Sequence, residues 1–288
     1  MTRSNGKLFR LVAGGVLAAG IAAALPAPAG ITVGVGDITD RRRNDNVFSG
    51  LEVELKLAGE SADGVRGARA VVQKATDDTG RSLLKDSEKT PDFEKASGDA
   101  PPTLKLDLRN PARRATKIKE ISGQVELFLP ARDSASTAKV DRFQAGMDKP
   151  ISAGPLKAAG AEVTVVSRKT YDAEKKKDDE RKKKEAESAG IAGAMVSVFS
   201  GLFEGLWGDI GENDVLIKVD DKGKKVFGVD VHDAAGKKID DSGSMTIGSF
   251  RILKFTEKLP ADASLRIYLM TPKSMVTAPF NLKDVALP

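Results

Sequence analysis

Apolar and polar side chains alternate in short runs over two lengths of this chain, and the stretch between those lengths follows a different rule. Leu51, Val53, Leu55 and Leu57 interleave with Glu52, Glu54 and Lys56, so a strand here has one dry face and one wet face. The same period of two predicts strands at 31–36, 65–75, 104–108, 121–129, 140–143 and 161–166. Turn chemistry separates them: TDDTG follows residue 75, Asn110-Pro111 stops the run at 108, and Pro130 stops the run at 129. Residues 86–102, polar and proline-bearing, read as a loop. Further runs lie at 215–219, 226–231, 247–255, 265–269 and 276–282, the first three separated by DDKG and DAAG turns. Many short strands and hardly a helix predict a mostly β protein of two antiparallel β-sandwich domains, at 30–170 and, smaller, at 212–288.

The dividing stretch, 171–211, is charged and then apolar. DAEKKKDDERKKKEAE sets Asp178, Asp179 and Glu180 four residues before Lys182, Lys183 and Lys184, pairs that support an exposed helix. Its signs cancel, which leaves no strong field for nucleic acid. From 190 onward Ile191, Met195, Val198, Leu202, Phe203, Leu206 and Ile210 recur at helical spacing, with Trp207 at the edge. Glycines 190, 193, 201, 205, 208 and 211 weaken such a helix by roughly 1 kcal/mol each relative to alanine, so it needs a surface to pack on. That surface is the protein itself, a second copy, or a membrane interface, and disorder is the remaining alternative. Glu204 interrupts the apolar run before it reaches the roughly 20 residues of a spanning helix. Residues 201–213, GLFEGLWGDIGEN, resemble the amphipathic fusion-peptide pattern of viral fusion proteins. That resemblance implies contact with a membrane surface. Phe199, Leu202, Phe203, Leu206, Trp207 and Ile210 are the candidate partner or membrane contacts.

The two β-patterned lengths share internal spacings. Val71, Ala75, Asp77, Gly80, Arg81 and Leu83 are matched in spacing by Phe227, Val231, Asp233, Gly236, Lys237 and Ile239. TLKLDL and QVELFL follow in one, SFRILKF and SLRIYL in the other, and each ends near a phenylalanine, an aspartate and a proline. A partial duplication is expected. In architecture the chain resembles immunoglobulin-like and fibronectin-type modules, without the cysteine pair and core tryptophan of antibody domains.

At the N-terminus Arg3, Lys7 and Arg10 precede an apolar run from Leu11 to Leu25 and then Ala27-Pro28-Ala29, the pattern of a signal peptide at 1–29. No arginine pair and no cysteine occur there, so the general secretory route is expected, to the periplasm or the extracellular space. The formal charge of +5 includes three bases and no acid from this leader, leaving about +2. With no cysteine in an exported chain, apolar cores alone must hold the folded parts.

Few chemistries remain. His232 is the single histidine, which closes off zinc or haem sites built on Cys and His, and reads as a surface or turn-capping residue. Acidic pairs at Asp77-Asp78, Asp220-Asp221 and Asp240-Asp241 lie in turns and lack the spacing of a calcium loop. Aromatic residues are 5% of the chain, too few for a wall that stacks sugars or single-stranded bases. The expectation is therefore a non-enzymatic binding or structural protein of the envelope or extracellular space, without cofactor or metal. Its partner is a protein or an envelope component, and the 190–211 segment gives it a membrane surface or self-association as further options. A membrane-active protein and a hydrolase built on convergent carboxylates are the alternatives.

Overall fold

A computed structural model describes residues 30–42, 49–86, 90–96, 100–188 and 210–288. The protein is mostly β, with several antiparallel sheets and few helices. β1 (Thr32–Arg41), β2 (Gly50–Ala58), β3 (Gly67–Asp77), β4 (Glu94–Lys95), β5 (Leu104–Leu108), β6 (Lys117–Phe128) and β7 (Thr137–Asp141) come first. α1 (Gly154–Ala159), β8 (Glu162–Val166) and the charged helix α2 (Arg168–Ser188) follow. β9 (Val215–Asp220), β10 (Val226–His232), β11 (Lys238–Ile239), β12 (Gly243–Ile247), β13 (Phe250–Lys254), β14 (Ser264–Leu269) and β15 (Met275–Ala286) complete the order. The strand expected over 247–255 is β13, shortened at its start because Gly248 adopts φ +58° and folds β12, which the alternation did not mark, back on it. The expected loop over 86–102 carries the two-residue β4.

Two cores form. The alternation in β2 buries Leu51, Val53 and Leu55 completely, and these side chains meet Val125 and Leu127 of β6 and Ala68 of β3. One layer has the strand order β1-β2-β5 and the other β15-β6-β3-β4. The second core gathers Val163, Ile217, Val231, Leu265 and Ile267 between layers ordered β12-β13-β9-β8 and β11-β10-β14-β7.

Strand pairing crosses the sequence division at 171–211 in both directions. β15, from beyond it, lies antiparallel on β6, while β7 and β8, from before it, lie on β14 and β9. The partners match in length. β6 and β15 are 12 residues each, whereas β7 has 5 and β14 has 6. A sequential β6–β7 hairpin would strand more than half of β6, and each buried backbone group left unpaired costs about 1–3 kcal/mol. Long on long and short on short avoids that.

The two crossing connections hold each other. Leu129 N donates to Ser274 O at 2.8 Å, Thr271 Oγ1 donates to Asp133 Oδ2 at 2.7 Å, and Ser136 Oγ donates to Leu269 O. The cores also meet through an aromatic joint. Phe227 of β10 lies 4.5 Å from Phe128 and 5.9 Å from Phe93, ring centre to ring centre, with Arg69 4.4 Å over the Phe93 ring. Gly67 is required beneath it, since a Cβ there would sit 2.2 Å from Phe227 Cζ.

Candidate functional site

The feature that distinguishes the outer face of the β12-β13-β9-β8 sheet is the root of the charged insertion. Ser167, directly after β8, accepts from Thr170 N at 3.3 Å and so caps α2; its own amide donates to Asp148 Oδ1 at 2.8 Å. That amide, with the Thr170 and Ser167 side chains, holds the Asp148 carboxyl below the usual range. The helix starts at Arg168, four residues before the charge run. Ser167, a residue type that favours the N-cap, placed directly after the apolar run of β8, is the signal in the sequence that marks this start.

Its first turns dock rather than float. Tyr171 is buried and meets Phe250 edge-on at 4.9 Å, within a patch made by Val166, Leu216 and Ile252. Glu174 pairs with Lys218 of β9 at 2.7 Å. At the other end of the insertion Ile210 packs, half-buried, on the same patch, and Arg168 Nη1 donates to the Ile210 carbonyl at 2.8 Å. Arg168 also pairs with Asp172 at 2.9 Å. Both ends therefore leave one spot through a closed neck. Beside the neck runs a groove of about 380 Å³, its floor formed by Phe143, Val166, Leu216 and Leu259 and its rim by Glu212 and Lys258. Met147, which also lines it, is 40% exposed.

Of the candidate contacts, Ile210 is thus placed at the neck. Phe199, Leu202, Phe203, Leu206 and Trp207 lie outside the described residues, as does the leader 1–29.

His232 is not a surface residue. It is 4% exposed, on the β10 face that also carries Asp230, and its Nδ1 donates to Gly236 O at 3.0 Å, which closes the turn. Nε2 is then the bare acceptor, buried and bonded to no protein atom, and the directly paired Ser264 has a buried Oγ in the same condition. Burial holds the imidazole below the ordinary histidine range against the opposing Gly236 bond, and Arg266 and Arg66 add repulsion. Both side chains are enclosed, and a carbonyl instead of a carboxylate stands on Nδ1.

Asp77 is the one fully buried carboxylate among the described residues. Oδ1 accepts from Thr79 N at 2.9 Å, Thr79 Oγ1 at 2.7 Å and Arg81 N at 2.9 Å, and Oδ2 from Ala112 N at 2.8 Å. Burial alone would raise its pKa; these donors outweigh it and set the group below the usual carboxylate range. Asp78 accepts from the Thr116 hydroxyl and amide, and Asp221 from Val226 N, so these members of the acidic pairs hold turns as turn aspartates do. No group of three or more His, Cys, Asp or Glu suited to a metal occurs among the described residues.

Neither a family model, nor a curated protein, nor a solved structure matches this chain. Among the described residues no helix is long and apolar enough to cross a membrane.

Proposed function

We infer that this is an exported, non-enzymatic binding or structural protein of the cell envelope or extracellular space. In this reading it is built from two immunoglobulin-like β-sandwich domains and presents the insertion 171–211 to its partner. The strand orders support the architecture: β1-β2-β5 against β15-β6-β3-β4, and β12-β13-β9-β8 against β11-β10-β14-β7, follow the division of such modules into an A-B-E-type sheet and a G-F-C-type sheet. The observation that carries the functional part is the closed neck. Arg168 clasps Ile210 and Tyr171 seats on Phe250, so everything between can engage a partner without disturbing the core beneath. Phe199, Leu202, Phe203, Leu206 and Trp207 are the apolar groups it would offer.

The test compares the mature chain with a form in which 173–209 is replaced by a short Gly-Ser linker. Retention of an envelope component by the full form alone, at equal thermal stability, is expected. Equal retention by both forms would overturn the reading. Trp207, the single tryptophan, separates the membrane alternative: a blue shift and protection from quencher with anionic liposomes would replace a protein partner with a lipid surface.

A further inference from the structure

The edge of β6 is a strand-accepting surface that its own neighbourhood in sequence does not fill. The segment directly after β6 runs away to lie on β14, and the strand that completes β6 arrives only after the whole stretch 129–274. Until then Lys117–Phe128 has an open edge beside β3. The side chains it would leave uncovered on the core face belong to fully buried positions, Ile118, Ile121, Val125 and Leu127.

The chain is delivered N-terminus first, so β6 emerges before β15. Where delivery across the membrane keeps pace with synthesis, at ~5–20 residues per second, β15 follows β6 by on the order of ten seconds, far longer than the microseconds a hairpin needs to form. During it, β1 to β6 can assemble around a missing strand. What fits the gap is specified by the fold: an antiparallel strand of 12 residues whose Val276, Ala278 and Phe280 face the core while Thr277, Pro279 and Asn281 face out.

We propose that the β6 edge accepts β15 of a second copy of this chain, giving a strand-exchanged dimer with the pairing of the monomer. It rests on the two-unit reading above. Exchange preserves every β6–β15 and β7–β14 pair and changes only the connection 270–274. That connection is the control point. Thr271 Oγ1 on Asp133 and Leu129 N on Ser274 O fasten it to 129–133 of the same chain and so favour closure within one molecule. Loosening the fastening shifts the balance toward the second copy.

The chain has no cysteine, so introduced ones report the pairing without background. Ser122 and Asn281 are directly opposed on the outer face of β6 and β15. A full-length chain with S122C and one with N281C, differing in tag, are unfolded together, refolded at high concentration and oxidised. A disulfide-linked heterodimer is expected, several-fold above the control in which K105C on β5 replaces N281C, and T271V in both chains should raise it further. Heterodimer no greater than the control, with and without T271V, overturns the proposal. The double variant S122C/N281C in one chain separates the two readings. If it closes internally while the mixture stays unlinked, strand exchange between copies is wrong and the fold stands; if it also fails to close, the β15-on-β6 architecture is wrong.

Discussion

The turn after β3 and the turn after β10 are built on one plan and buried to different depths. In the first, Asp77 N donates to Arg81 O and Gly80 N to Asp77 O, with Gly80 at φ +87°; in the second, Asp233 N donates to Lys237 O and Gly236 N to Asp233 O, with Gly236 at φ +83°. Each aspartate also accepts from the amide four residues on. The resemblance ends at the side chains. Asp77 is fully buried and its second oxygen reaches across to Ala112, whereas Asp233 is half-exposed and its side chain bonds only Lys237 N among the bonds identified. In the second turn the buried polar residue is the neighbouring His232. One sequence pattern thus yields a carboxylate keystone in the first core and a neutral imidazole keystone in the second.

The largest effect expected is at Asp77. Asp77→Ala strands the Ala112 and Arg81 amides and should cost about 2–4 kcal/mol in urea unfolding, while Asp233→Ala should cost under about 1 kcal/mol because water replaces the lost acceptor. Equal losses would show that burial depth does not separate the turns. Next is Gly67→Ala, whose methyl meets a Phe227 ring confined by Phe93 and Phe128. A loss of roughly 1–3 kcal/mol is expected, with Phe227→Leu recovering part of it in a double-mutant cycle. Simple additivity would mean that the joint between the cores has room to adjust.

Acid should separate the keystones by pH. His232 has a lowered pKa in the fold, so its contribution is complete above the ordinary histidine value near 6.5 and is lost as pH falls below it, where the unfolded chain takes up a proton that the fold refuses. Asp77, also lowered, contributes above the ordinary carboxylate value near 3.9 and loses that contribution only as pH falls through its folded value. Thermal melts from pH 7.5 to 5 should therefore decline in the native chain and flatten in His232→Gln; an unchanged slope would remove the imidazole from the account. The smallest change should follow a single proteolytic nick between 189 and 209. Because β7 and β8 belong to the second core and β15 to the first, the two fragments should still elute together in native gel filtration, and their separation would contradict the pairing across the insertion.

Much of this was legible in the chain. Alternation located nearly every strand, since the face a residue occupies depends only on its neighbours two positions away. The paired spacings at Asp77–Leu83 and Asp233–Ile239 anticipated two turns of one geometry because a turn needing φ above zero selects glycine locally. The candidate contact residues were legible as a helical stripe, yet of these the structure places only Ile210, on the patch around Tyr171. The neck was not foreseen, because Arg168 and Ile210 are distant in sequence and their bond depends on where β8 and β9 lie.

By itself, then, the sequence determined the longer strands and the turns between them, though not β4, β11 or β12, and left no cysteine for a disulfide or a metal site. Only the tertiary structure decided which strand completes which sheet. Backbone pairing is nearly blind to side-chain identity and is settled by length, register and what a free edge would leave unbonded. On those grounds the 12-residue β6 takes the distant β15 over the adjacent β7.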